Sequence, residues 1–553
     1  MKRSLLIFVF FVFIANNLFS QNNSIPVFIE ENSQWADSVL ETLSAQQRIA
    51  QLFMVSAYSN KSEDHKKKIS KLIKKYKIGG LMFLQGGPQR QAKLTNYYQS
   101  ISKTPLMIAI DAEWGIAMRL DSALRFPWQM TLGASMDTNL IYEMGVEIAR
   151  QCKLIGVNIN FAPVVDVNSN PKNPIINNRS FGENAKRVSS LSLAYMYGLQ
   201  DNNILACAKH FPGHGDTDKD SHKTLPTISH SKQRINKVEL VPFKNLINNG
   251  LGSVMTAHLF IPSLDSSDNT PISLSRKVVT GLLTKEMGFK GLKFTDGLNM
   301  KGATNYATSA EINLSAIQAG NDLLLIPQNV PASIRIIKQA LALKTLSEER
   351  INKSVRKILK AKYWMGLNNY KPIEISGLQE DLNTIEDELL HRKLLKNAIT
   401  LIKDSDQNIP LGNLEYKKIA YVKLGDDSGD HFVNMLKNYT KVEVISDNNL
   451  DGLLTKLKSY NQVIIGFHKS NKHPWKGYRF KNKELVWLQE IARNKKVIIE
   501  LKNGKQFVGD LKAFDIHINI VLENAEERID NEVKRKLGQV FIRGDTITII
   551  STE

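Results

Sequence analysis

Cysteine is scarce in this chain. The 553 residues hold two, Cys152 and Cys207, far apart and each within an apolar run. A disulfide-dense scaffold is thereby excluded, and free buried thiols are the expectation. Beyond the N-terminus no apolar run is long enough to cross a bilayer. No block of five or more like charges occurs, and no internal repeat is apparent. What remains is a soluble globular composition, 42% hydrophobic and 23% charged, at a length that calls for two to four domains. The formal charge of +19 reads as a generally basic, Lys-rich surface. The alternative is attraction to polyanions such as nucleic acid or acidic cell-envelope polymers. Residues 1–20 read as a signal peptide: Lys2 and Arg3, then an apolar run from Leu5 to Ala15, then small Ser20 before Gln21. Secretion or export to a periplasm is the expectation, with an uncleaved anchor or a buried helix as the alternative.

From about residue 78 to 327, short apolar runs alternate with amphipathic stretches. The strand candidates are Ile78–Leu84, Pro105–Ile110, Met130–Gly133, Gly156–Val167, Ile204–His210, Gly252–His258, Gly291–Thr295 and Asp322–Ile326. Nearly continuous apolar runs suit a parallel sheet buried on both faces. Eight such units predict an α/β fold of the TIM-type (β/α)8 barrel class, with a doubly wound sheet as the alternative. Polar residues gather at the ends of these runs: Asp111, Asp166, Lys209, His210, His258 and Asp296. A barrel's active face needs that placement.

The stretch Lys209-His-Phe-Pro-Gly-His-Gly-Asp-Thr-Asp-Lys-Asp-Ser-His222 is a loop with a high density of reactive side chains. His210, His214 and His222 are candidate metal ligands, although their spacing fits no common zinc motif. Acid–base work is the other reading. Asp220 lies two residues before His222 and can fix its tautomer and raise its basicity. Asp296, in Phe-Thr-Asp-Gly-Leu-Asn-Met, ends an apolar strand, where it faces a substrate and can attack an anomeric carbon.

Lys209–His222 together with Phe294–Met300 resembles glycoside hydrolase family 3, in its β-N-acetylhexosaminidase branch. The resemblance covers roughly residues 40 to 365. It implies a double displacement with Asp296 as nucleophile, His222 as acid/base and Asp220 as its partner. It further implies that Asp111, Arg119, Arg179, Lys209 and His210 contact an N-acetylglucosamine ring, and that no metal or organic cofactor is required. The implied substrate is an N-acetylglucosamine-containing saccharide of cell-wall (peptidoglycan) or chitin type. In Ala112-Glu113-Trp114 the sequence departs from the more usual Gln-Glu-Gly, so Trp114 bears on the choice of substrate, by stacking on a sugar or narrowing the entrance.

Near Gly366–Gly377 the pattern breaks, which places the barrel at about 30–370. A second α/β region, about 385–492, has a helix at Glu386–Ala398 and strands at Lys418–Leu424, Val442–Ser446 and Gln462–Phe467. It resembles the start of the α/β sandwich domain that follows the barrel in this family, and is truncated. Residues 494–553 carry five short strand-like runs divided by turn signals, a small β-barrel pattern. Leu511–Asn519 and Leu537–Asp545 resemble the two motifs of Sm-like (LSm) RNA-binding proteins. That resemblance implies base contacts from His517, Asn519, Arg543 and Asp545, uridine-rich RNA as partner, and a hexamer or heptamer. The alternative function is therefore a ring-forming RNA-binding protein with a passenger hydrolase region. A signal peptide and an Sm-like tail conflict, which suggests a fusion joined near 490–497.

Overall fold

The structure, a computed structural model, describes residues 25–31, 33–135, 137–221, 223–267, 269–402, 404, 409–469, 481–493, 496–501, 506–514, 520–529, 532–542 and 547–552. The expected signal peptide, His222, His517, Asn519, Arg543 and Asp545 lie outside them. Two compact units are present, Met1–Ile399 and Thr400–Glu553.

The first unit is a (β/α)8 barrel. Its strands are β1 (Phe53–Ala57), β2 (Gly80–Phe83), β3 (Met107–Ile110), β4 (Ile159–Asn160), β5 (Leu205–Phe211), β6 (Ser253–Thr256), β7 (Leu292–Thr295) and β8 (Leu324–Leu325). All pairings are parallel. The order runs β7-β6-β5-β4-β3-β2-β1-β8, and a Phe294–Leu323 bridge brings the two ends together. Every residue of β2, β3, β5, β6 and β7 is buried, as expected where helices cover the outside and side chains fill the inside. Phe161 and Phe294 meet edge to face, centroids 5.2 Å apart, a contact worth about 0.5–1.5 kcal/mol beyond its buried area.

Eight strands were expected, but one assignment differs. Met130–Gly133 is not a strand. Gln129–Leu132 forms a helical turn, fixed because the Gln129 amide hydrogen-bonds both the N–H and the C=O of Val164. The first strand is instead Phe53–Ala57. Its apolar run continues directly from the helix Ala45–Ala50, whose Ser44–Gln47 capping box marks a helix start but leaves the helix-to-strand change without a turn signal.

In the second unit, β9 (Ile419–Gly425), β10 (Val442–Val444) and β11 (Gln462–His468) form a parallel sheet in the order β10-β9-β11. The helix Asn482–Arg493 packs Trp487, Leu488 and Ile491 with Ala420, Val422 and Leu453. It therefore helps to cover this sheet, as well as leading into the next one.

That next sheet is antiparallel: β12 (Lys496–Leu501), β13 (Gln506–Phe514), β14 (Ile520–Ile529), β15 (Glu532–Ile542) and β16 (Ile547–Thr552), in the order β15-β14-β13-β12-β16. Its core is small, formed by Ile520, Leu522, Ala525 and Ile542 with Phe507, Leu537 and Val540 against them. β14 and β15 are longer than their apolar pattern suggests. The charged residues that resemble a loop face each other across the hairpin: Arg535 Nε lies 2.6 Å from Glu527 Oε2, and Lys536 Nζ 3.9 Å from Glu526 Oε1. Among the described residues no helix is long and apolar enough to cross a membrane.

Candidate active site

The C-terminal ends of the barrel strands converge on a network of alternating charge. Between Ala208 and Phe211 the register of β5 against β6 gains one residue. Such a bulge re-aims side chains, and it falls at Lys209 and His210. Lys209 Nζ lies 2.8 Å from Asp111 Oδ1 and 2.7 Å from Glu113 Oε1. Arg119 donates to the other oxygen of Asp111. Arg179, at the end of the short 3-10 turn Asn177–Arg179, grips Glu113 with both arms, Nε at 2.9 Å from Oε2 and Nη2 at 2.7 Å from Oε1. Its Nη2 also lies 3.4 Å from His210 Nε2. On the far side of that ring, Nδ1 is 2.7 Å from Asp166 Oδ2. Asp166 Oδ1 accepts the backbone N–H groups of His210 and His214, at 3.1 and 2.7 Å. The partners assign the His210 proton to Nδ1 and leave Nε2 as acceptor.

Electrostatics keep this set ionised. Burial alone would raise the carboxyl pKa of Asp111, but Lys209 and Arg119 hold it well below the usual range. Burial opposes ionisation of Glu113 as well, and Arg179 and Lys209 bring it down to about 2. Asp166 is lowered against the effect of burial by His210 and His214. Lys209 would lose its charge through burial, yet Asp111 and Glu113 raise its pKa. The Arg119 Nε–H is buried and has no hydrogen-bond partner among the described residues.

Asp296 stands at the end of β7, half-buried. Its N–H donates to Thr256 O at 2.9 Å, and its Oδ1 accepts from the Gly297 N–H at 2.7 Å. His258, at the end of β6, braces the same turn: Nδ1 is 2.7 Å from Ser273 Oγ, and Nε2 donates to Gly297 O at 3.2 Å. Asp220 sits on the loop after β5, its carbonyl accepting the N–H groups of Lys223 and Thr224. Just past β3, Trp114 packs on Trp128 with centroids 4.1 Å apart, and the Arg125 guanidinium covers both rings at 5.5 and 4.7 Å.

Of the residues expected from sequence, Asp111, Arg119, Arg179, Lys209 and His210 belong to one network, with Asp296 and Asp220 on the same face of the barrel. Asp166 and His258 are read from the sequence only as polar groups on the active face, without a specific role, and Glu113 only as part of the Ala112-Glu113-Trp114 departure. Their signal was position alone, at or just past a strand end. No cluster of three or more His, Cys, Asp or Glu side chains suited to a metal ion occurs among the described residues. His214 Nδ1 and Nε2 lie against the Thr217 and Ser221 hydroxyls, and His210 Nδ1 against Asp166.

Two separate stretches of the chain match known families. The Glycosyl hydrolase family 3 N terminal domain matches residues 44–361, and the LSM domain matches residues 489–552. A Beta-hexosaminidase A of Pseudoalteromonas piscicida is 36% identical over 326 residues, covering 53% of this chain and 54% of that protein, so the chain spans about half its length. A Beta-hexosaminidase of Nitrosomonas eutropha is 34% identical over 259 residues, 45% of this chain and 73% of that protein. Among solved structures, a glycoside hydrolase family 3 beta-N-acetylglucosaminidase from a Paenibacillus species superposes with a TM-score of 0.65 at 28% identity, covering 82% of this chain and 88% of that one. A family 3 glycosyl hydrolase from Mycobacterium smegmatis gives a TM-score of 0.53 at 28% identity, covering 58% of this chain and 98% of that one. By its barrel this chain belongs to glycosyl hydrolase family 3, and it carries an LSM domain at its C-terminal end.

Proposed function

We propose that the chain is a retaining β-N-acetylglucosaminidase that removes terminal non-reducing N-acetylglucosamine from peptidoglycan or chitin-type fragments, acting outside the cytoplasm. The observation that carries this reading is the Asp111–Lys209–Glu113–Arg179–His210–Asp166 network on the same face of the barrel as Asp296. Fixed donors and acceptors of that kind suit the hydroxyl and amide oxygens of a sugar. Asp296 attacks the anomeric carbon, displacing the aglycone oxygen, which takes a proton from His222. Water then gives a proton to His222 as it attacks the glycosyl–Asp296 ester, the carboxylate leaves, and configuration is retained. Asp220 holds the imidazole and stabilises its charged form. Lys209, Asp111, Arg119, Arg179 and His210 orient the ring, and the Trp114–Trp128–Arg125 stack narrows the entrance. The purified protein is expected to release p-nitrophenol from the N-acetyl-β-glucosaminide. Asp296→Ala and His222→Ala should each remove that activity. Turnover that survives both substitutions, or none in the wild type, ends this reading. Export would be seen as a mature protein starting at Gln21 by mass spectrometry.

The LSM match and the five-stranded antiparallel sheet favour a second reading for the C-terminal segment. It forms a six- or seven-membered ring that binds uridine-rich RNA through His517, Asn519, Arg543 and Asp545. Light scattering should then give a hexamer or heptamer, and oligo-U binding should be lost in Arg543→Ala. A monomer without oligo-U affinity overturns it.

A further inference from the structure

His214 takes no part in the charged network around Asp111, yet it is almost fully buried and every polar atom of its ring is engaged. Its surroundings are Asp166, Asn173, Thr217 and Ser221, all buried, with the His210 ring edge-on at 5.8 Å. The main-chain N–H of His214 donates to Asp166 Oδ1 at 2.7 Å. Its carbonyl accepts from Asn173 Nδ2 at 2.8 Å and from the Thr217 hydroxyl at 3.2 Å. Because Thr217 spends its one proton there, its oxygen accepts from His214 Nδ1–H at 2.8 Å. Nε2 is thus left as an acceptor, and it takes the hydroxyl proton of Ser221 at 3.1 Å. Burial, then the neighbouring His210, pulls the ring's pKa down to about 4, so this arrangement persists across neutral pH.

Ser221 lies between Asp220 and His222 in the chain. It is held twice, by its hydroxyl to His214 and by its carbonyl, which accepts the Gly302 N–H at 3.2 Å. Gly302 follows the Asp296 turn, and a Cβ added there would press on Ser221 O and His258 Cβ at 3.1 Å each. His258 in turn donates to Gly297 O, the residue after Asp296. One hydrogen-bonded and packed path therefore runs from Asp166 through His214, Ser221, Gly302 and His258 to the turn that carries Asp296.

We infer that His214 and Ser221 are positioning residues: the His214–Ser221–Gly302 clamp fixes the main chain between Asp220 and His222 against the segment that follows Asp296, and so sets where the proton donor stands relative to the nucleophile. The inference rests on the reading of Asp220 and His222 as the acid/base pair. A clamp of this kind acts on proton delivery more than on sugar binding, and that separates it from a general structural role.

The test uses the full-length protein and two variants, Ser221→Ala and Thr217→Val, the second in case the first does not fold. Two aglycones are compared on the N-acetyl-β-glucosaminide: p-nitrophenol, and 2,4-dinitrophenol, which departs with less need of a proton. The clamp predicts a loss of about 10–100-fold in kcat/KM for the p-nitrophenyl substrate, carried by kcat, as expected for a misplaced proton donor. It predicts a loss of less than about threefold in kcat/KM for the dinitrophenyl substrate, because that ratio reports only the steps up to aglycone departure and this departure leans little on general acid catalysis. Equal losses on both substrates, or none on either, overturn it. Hydrogen–deuterium exchange of the peptide spanning 215–224 gives a readout that needs no activity. Exchange there should rise in both variants while β1–β8 keep theirs, and unchanged exchange overturns the clamp. An inactive wild type with a loosened loop in the variants would end the proposed activity but leave the clamp standing.

Discussion

Glu113 has no solvent exposure and faces two cations, Arg179 and Lys209. Its replacement by Gln leaves both with less opposing charge in a buried site, a loss of about 3–5 kcal/mol when one partner of a buried pair is removed. Urea unfolding at pH 7 measures this. The sign of the pH dependence follows from the direction of the shift. The folded pKa, about 2, lies below the ordinary 4.5, so the stabilisation is present above about pH 4.5 and is lost as pH falls through 2. Wild-type stability should therefore drop more steeply between pH 5 and 2 than that of Glu113→Gln. Asp111 and Lys209 were legible from the sequence because each sits at the end of an apolar run. Glu113 was not, because a carboxylate two residues past a strand reads as loop, and Arg179, the partner that gives it meaning, is 66 positions away.

Two elements carry predictions of their own. The loop after β5 contains Gly215, where an added Cβ would lie 1.9 Å from Val167 O. Gly215→Ala must displace that loop, and a shift of about 1 Å at a catalytic group costs on the order of 100-fold in kcat/KM. Kinetics on the p-nitrophenyl substrate would read this loss, with circular dichroism showing the barrel intact. The helix Thr138–Leu154 is tied to the helix Ile385–Ala398 by Arg150, whose guanidinium lies 2.8 Å from Glu147 and 2.9 Å from Asp387. Burial first, and the Asp387 carboxylate after it, push Glu147 up to about 7. A raised carboxyl pKa stabilises the fold below about 4.5 and loses that contribution as pH rises through 7. Glu147→Gln should flatten the fall in thermal stability between pH 5 and 8, by no more than about 1 kcal/mol for a partly solvated group. Strand boundaries were the least legible feature at this scale. β1 was missed because its apolar run follows a helix without a turn. The hairpin β14–β15 was cut short because Glu526, Glu527, Arg535 and Lys536 look like loop until they face one another.

At the scale of the whole molecule, the chain divides at Ile399, and all residues of the candidate active site precede that point. A protein ending at Ile399 should keep kcat/KM within about threefold of the full chain, because the barrel holds its own core and its own site. A collapse of activity on truncation would assign the second unit a part in the reaction. The barrel class was legible because polar residues recur at the ends of buried runs, a pattern that survives one misplaced strand. The C-terminal sheet was legible from its turn residues and two short motifs. The helix Asn482–Arg493 was legible as an element between the two sheets, but its apolar stripe does not say which residues it covers, Ala420, Val422 and Leu453 among them.

The proposed mechanism requires Asp296 to form a bond to the sugar. Incubation with a 5-fluoro N-acetylglucosaminyl fluoride, which forms the glycosyl-enzyme faster than it breaks down, followed by intact-protein and peptide mass spectrometry, tests it most directly. One added glycosyl group per chain is expected, on the peptide containing Asp296, and none in Asp296→Ala. A label on another residue, or an unlabelled enzyme that still turns over the p-nitrophenyl substrate, would contradict it.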